Sequence, residues 1–215
     1  MNMESKNNKK EVKENNQQIK LSKKQIETEN KLLRNIFIFV GILFFLFLAS
    51  YVVIGSIRNF NYRGTDFEVT KEGEDLIFYR TSFPFYSSEG EHTADYNFYI
   101  RNDPRKLEEI EFEGEIVWLE NMVINMTEEF TCDGDGIIAI ANILNLKIFG
   151  TEIIKDDSAG CSYTGDYMFL KIQTGNKTKI ESFGPSCYNL YVNNCEILKV
   201  TEKFMVETFI QANSK

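Results

Sequence analysis

Apolar residues run together once in this chain and afterwards alternate with polar ones. Ile36 to Ile54 reads IFIFVGILFFLFLASYVVI, 19 residues inside a stretch, Asn35 to Ile57, without one ionisable acid or base. At 1.5 Å per residue, a helix of that length matches the hydrocarbon core of a bilayer, about 30 Å thick. Inside that layer every backbone amide must be bonded internally, so a single crossing is helical. Lys31 and Arg34 mark the start of the segment and Arg58 its end.

Beyond residue 58 the period changes. Alternation predicts strands at Asp66–Thr70, Leu76–Thr81, Tyr96–Arg101, Ile110–Leu119, Tyr167–Thr174, Lys179–Phe183 and Tyr188–Val192. Thr174-Gly175-Asn176-Lys177 suits a tight turn, so the strands on either side of it are expected to form a hairpin. Two helices are expected. Gly136–Phe149 is apolar nearly all round, which predicts a buried helix, and Gly150 ends it. Cys195–Ala212 places Glu196, Lys199, Lys203 and Glu207 on one face, with Asn193 as an N-cap and Glu196 returning to it. Its β-branched residues keep a strand open as an alternative. The fold class is α+β: a single N-terminal transmembrane helix, then one extracytoplasmic domain with a mainly antiparallel sheet and about two helices.

Charge sets the orientation. Residues 1–34 hold 9 Lys/Arg and 5 Asp/Glu, whereas everything after Ile57 carries 15 basic and 27 acidic residues. Positive flanks stay on the cytoplasmic side, so the N-terminus is expected in the cytoplasm and the acidic domain outside. The organisation is a basic cytoplasmic tail (1–34, disordered or weakly helical), a signal-anchor helix (35–57) and an extracytoplasmic domain (58–215). A cleaved signal peptide fits less well, because the leader is long and Val53-Ile54-Gly55 is a poor cleavage site. Val12, Ile19, Ile26 and Leu33 recur every seven residues, yet Asn15, Ser22 and Glu29 leave half the coiled-coil seam polar. The formal charge of −8 excludes a general nucleic-acid binder, and one histidine excludes multi-His metal sites and Ser-His-Asp chemistry. No cofactor is implied, and oligomeric state is left open.

All four cysteines, Cys132, Cys161, Cys187 and Cys195, follow the apolar segment, as two disulfides in an oxidising compartment would. Three pairings are open. An extended 188–192 would set Cys187 and Cys195 too far apart to bridge each other, which favours long-range links. Asn125-Met126-Thr127 and Asn176-Lys177-Thr178 match the glycosylation acceptor, making Asn125 and Asn176 candidates.

Three stretches bear chemistry. Asp133 and Asp135, set between glycines, are candidate binding residues, although the calcium-loop pattern is incomplete and two acids repel phosphate. The simpler expectation is that one of them caps the following helix. Glu109, Glu111, Glu113 and Glu115 alternate with apolar residues, which predicts a solvated strand face, an edge protected by its charge. Phe83-Pro84-Phe85-Tyr86 opens into the polar loop Ser87 to His92, expected as a hairpin tip. The leading expectation is a membrane-anchored binding or assembly module, with the lipid bilayer and a protein at the cell surface as partners. An extracytoplasmic hydrolase would need a cleft joining these acids and one carboxylate shielded from water. A structural protein that oligomerises through its N-terminal helix is the third reading.

Overall fold

A computed structural model describes residues 4–73, 75–86 and 90–214; the side chains of residues 4–25, Ile54, Ser56, Ile57 and Tyr86 lie outside the description. The chain divides into two units after Ser56.

The first unit is helix α1, Glu4–Arg58, a single element of 55 residues. No Pro and no Gly occurs before Gly41, so nothing in the leader interrupts the backbone ladder that the apolar run continues. Its segment Ile26–Val53 is long and apolar enough to cross a membrane, and its apolar side chains from Phe37 to Val53 are exposed. Of the seven-residue seam, Ile26 and Leu33 are exposed, while Val12 and Ile19 lie outside the described side chains.

The second unit is α+β. An antiparallel sheet runs in chain order through β1 (Asn59–Tyr62), β2 (Thr65–Glu72), β3 (Leu76–Tyr86) and β4 (His92–Ile100). Its first hairpin turns on Arg63-Gly64, both at positive φ (50° and 89°), which is the two-residue loop that matches strand twist. A second sheet of six strands is mostly parallel. It comprises β5 (Glu111–Glu113), β6 (Asn121–Met126), β7 (Glu152–Lys155), β8 (Met168–Thr174), β9 (Lys179–Gly184) and β10 (Cys187–Val192), in the order β5-β9-β10-β8-β6-β7. The β9–β10 pair is antiparallel and the other four pairs are parallel. Helix α2 (Asp135–Leu144), extended by a 3-10 turn to Phe149, is the crossover that parallel neighbours β6 and β7 need. Gly150, left-handed at φ 82°, closes it.

Helix α3 (Ile197–Asn213) sits at the centre. Phe209 meets Phe83 and Phe98 of the first sheet and Phe149 of the 3-10 turn, while Phe204 meets Tyr188 on β10. One helix therefore receives the inner faces of both sheets and is buried on every side from Val200 to Phe209. Its β-branched residues are accommodated because Thr201 and Thr208 return their hydroxyls to carbonyls one turn back, at 2.9 and 3.0 Å.

Several expectations need correcting. The strands flanking Gly175 do not form a hairpin, because β10 lies between β8 and β9. The link crosses the end of β10, where Gly175 donates to the Val192 carbonyl and any Cβ on it would lie 2.8 Å from the Tyr191 Cβ. Gly175→Ala is therefore expected to destabilise by about 2 kcal/mol through overpacking, checked by thermal unfolding. Strand Ile110–Leu119 shrinks to the three residues of β5, since the Tyr188 hydroxyl bonds Glu115 and Val117 and Thr151 takes the Leu119 carbonyl. Helix α2 is not buried all round: Ile137 and Leu144 face solvent, because α2 packs chiefly on α3. Lys203 and Glu207 do not share a solvated face with Glu196 and Lys199; both are buried. Neither helix has the expected cap. Gly134 holds the α2 N-cap position, and Glu196 holds that of α3 without a side-chain capping bond to a backbone amide, its carboxylate accepting from Lys199 instead.

The cysteines pair as Cys132–Cys195 and Cys161–Cys187, two long-range bridges that leave no free thiol. The first joins the starts of α2 and α3 and is open to solvent at Cys195, whereas Cys187 is fully buried. A mild dithiol is expected to open Cys132–Cys195 first. Alkylation and mass mapping at increasing dithiothreitol check this order, and release of Cys161 and Cys187 before the others would contradict it.

Candidate functional site

A cleft of about 650 Å³ opens in the second unit between the β1–β2 turn, the C-terminal half of α3 and the segment around β5. Each wall has a local cause. The Arg63-Gly64 turn aims the Arg63 guanidinium at α3, and Asn213 of α3 donates to Thr65 beside that turn at 3.0 Å. The opposite wall is fixed by Tyr188. Its buried hydroxyl donates to the Glu115 carbonyl at 2.8 Å and accepts from the Val117 amide at 2.6 Å, and burial pushes that hydroxyl above its ordinary pKa. Ile110, Phe112 and Ile116 give this wall its apolar surface.

The floor is charged. One oxygen of Glu207 accepts from Arg63 Nη1 at 2.7 Å and from Lys203 Nζ at 2.8 Å. The side chains of Lys203 and Glu207 are only 5% and 10% exposed, so this pair is largely withdrawn from water while Arg63 stays about half exposed. At the rim the Tyr62 hydroxyl donates to Glu108 at 3.0 Å. Burial first, then this bond to a carboxylate, push Tyr62 up to about 12, so it stays a donor throughout the physiological range. Glu111 also lines the cleft; its bond with Lys177 at 2.5 Å lowers its carboxyl below the usual range. Glu115 completes the set of four carboxylates facing two cations.

The other residues singled out from the sequence lie elsewhere. Asp135 faces a smaller cleft of about 420 Å³, where Arg101 donates to it at 3.2 Å. Asp133 is exposed, in left-handed backbone at φ 54°. Glu109 ends a 3-10 turn, and Glu113 is solvated on β5, which is indeed an edge strand. At the β3–β4 tip Phe83 returns to the core, Phe85 is exposed and His92 bonds Asp95 at 2.8 Å. Ser87, Ser88 and Glu89 lie outside the described residues. Asn176 is exposed on its loop. Asn125 is buried, and its amide donates to the carbonyls of Asp157 and Ala159, leaving no room for a sugar there in the folded state. Among the described residues no group of three or more His, Cys, Asp or Glu converges to hold a metal ion.

Sequence reading missed Arg63 and misplaced Lys203 and Glu207. For Arg63 a signal existed: Arg-Gly between two short alternating runs, Phe60 to Tyr62 and Thr65 to Phe67, marks a two-residue hairpin. For Lys203 and Glu207 no local signal existed, because their spacing on a helix also fits an exposed pair. No protein-family model, curated protein or solved structure matches the chain.

Proposed function

We propose that this chain is a membrane-anchored binding module, held by α1 with its N-terminus in the cytoplasm, whose disulfide-bonded domain presents the charged cleft on the extracytoplasmic side. The observation that carries the reading is the cleft floor, where two cations converge on one oxygen of the withdrawn carboxylate Glu207. Such a cluster is fit to recognise charge. The hydrolase reading asks for a shielded carboxyl working with a second acid; in this cleft the shielded one is engaged by Arg63 and Lys203 while Glu108, Glu111 and Glu115 are solvated, and the buried Glu202 outside the cleft is held by the Arg101 amide and Asn102. The exposed apolar length of α1 and the two disulfides support the anchoring and the oxidising side.

Three measurements test this. Full-length protein is expected to remain in the pellet after alkaline carbonate extraction, with residues 58–215 digested by protease added to intact cells. Release into the supernatant contradicts the anchoring, and protection of the domain contradicts its extracytoplasmic placement. Screening small molecules for thermal stabilisation is expected to yield ligands that mass spectrometry recovers unchanged. A ligand consumed on incubation restores the hydrolase. The reading in which α1 oligomerises has one observation in its favour, the exposed Ile26 and Leu33 on a continuous helix. It predicts that peptide 8–34 self-associates as helix, and a monomeric coil at high concentration removes it.

A further inference from the structure

We infer that the cleft beside the Arg63 turn takes a small zwitterion with an apolar body, of the amino-acid or dipeptide class. This rests on the reading of the domain as a binding module and names the ligand of that same site. The floor provides the first half of the argument. Arg63 and Lys203 share one oxygen of Glu207, so positive charge exceeds negative there by one. A guanidinium has five N–H donors and an ammonium three, far more than one carboxylate oxygen accepts. The remaining donors are suited to an incoming carboxylate, which the guanidinium fork can take in bidentate fashion. Arg63 reaches this position from left-handed backbone at φ 50°, a region that costs a residue with a Cβ about 1–2 kcal/mol. Asparagine would make the same turn with less strain, so the site retains strain where a guanidinium is delivered.

The walls provide the second half. Glu108 and Glu115 line the same cleft and are exposed, and Glu111 beside them is already answered by Lys177. A ligand bringing only negative charge would reach the floor past these carboxylates and be repelled. A ligand that also carries an ammonium group satisfies floor and rim together. The same cleft is lined by Ile110, Phe112, Ile116 and Ile210, which suit an aliphatic body. A volume of about 650 Å³ is within the usual range for small-ligand sites and leaves room for two residues.

The probe is the dipeptide Leu-Leu, titrated calorimetrically into the full-length chain in phosphatidylcholine nanodiscs. N-acetyl-Leu-Leu, without the ammonium, and Leu-leucinamide, without the carboxylate, are titrated alongside. The free dipeptide is expected to bind, with each blocked form about ten-fold weaker or worse, a loss on the scale of one charged contact. Arg63→Gln is expected to weaken the free dipeptide about ten-fold and leave Leu-leucinamide unchanged. Glu115→Gln gives the mirror image, sparing the acetylated form. Both positions are exposed, and far-UV circular dichroism confirms that the variants fold. If either variant misfolds, the three probes on the parent chain still decide the matter. Absence of heat from all three overturns the inference, as does equal affinity for all three or full retention of binding by either blocked form. Carbonate extraction of membranes from the cells that express the chain scores the anchoring independently. A chain that stays embedded yet ignores the dipeptide therefore sinks this ligand assignment alone.

Discussion

Glu202→Ala is expected to lower the stability of the disulfide-bonded domain by about 3–5 kcal/mol, the range for breaking a buried hydrogen-bonded charge site. Glu202 lies on α3 with no exposed surface. Its carboxyl accepts from the Arg101 amide at 2.7 Å, the Asn102 amide at 2.9 Å and the Asn102 side chain at 2.7 Å. It thereby ties the end of β4 to the central helix. Alanine would leave three donors without their acceptor, each worth about 1–3 kcal/mol where water cannot replace it. Arg101 is exposed and Asn102 half-buried, so water repairs part of the loss and the sum stays below the additive limit. Guanidinium unfolding of the full-length chain in micelles measures this, and a shift under about 1 kcal/mol would show that the tie is dispensable.

The same group makes stability depend on pH. Burial pushes the Glu202 carboxyl up to about 7, and the three N–H donors with the nearby Arg101 charge only partly counter it. An acid that holds its proton more tightly when folded stabilises the fold below its unfolded pKa of 4.5 and loses that contribution as pH rises toward 7. The parent chain is therefore expected to lose about 3 kcal/mol relative to Glu202→Gln between these two values. A difference between the two proteins that stays flat over this window would mean that the Glu202 carboxyl titrates alike in the folded and unfolded chain, and would refute the upward shift.

Replacing Cys132 and Cys195 together by serine is expected to remove about 3 kcal/mol. Closing a loop across a sequence separation of 63 restricts the unfolded chain by about 4 kcal/mol. The backbone opposes part of this. Cys132, Asp133, Asn194 and Cys195 all have positive φ, between 41° and 59°, and release of the bridge lets some of them relax, returning about 1 kcal/mol. The restriction of the unfolded chain is the larger effect, so the net change is destabilising. The guanidinium midpoint of the double serine variant, compared with the oxidised parent, measures it, and equal midpoints would refute it.

Local pattern was enough wherever one element's own chemistry decides its structure. An unbroken apolar run can satisfy its amides only as a helix, and alternation over Lys179–Phe183 or Tyr188–Val192 can bury one face only as a strand. Both follow from neighbours within a few residues, and both are observed. β6 was less legible, since the parallel strand Asn121–Met126 has no clean alternation and its two asparagines resemble loop residues. The short edge strands β1 and β7, of four residues each, give too little pattern to register.

Pairing and burial belong to a different level. Strand order depends on contacts far apart in sequence, which is why β10 could enter between β8 and β9 without a trace in the turn that joins them. The candidate site illustrates this most clearly. Lys203 and Glu207 stand one helical turn apart whether α3 lies on the surface or in the middle, and the composition of the helix fits both. Two sheets closing on α3 withdraw that pair from water, and a turn some 140 residues earlier brings Arg63 to it (separation 144). From the amino-acid order alone came an apolar helix long enough to cross a membrane, the α+β class and the expectation of two disulfides, because these rest on period, length and composition. The charged cleft arose only when distant segments packed together, since desolvation and convergence of charge are properties of the assembled chain.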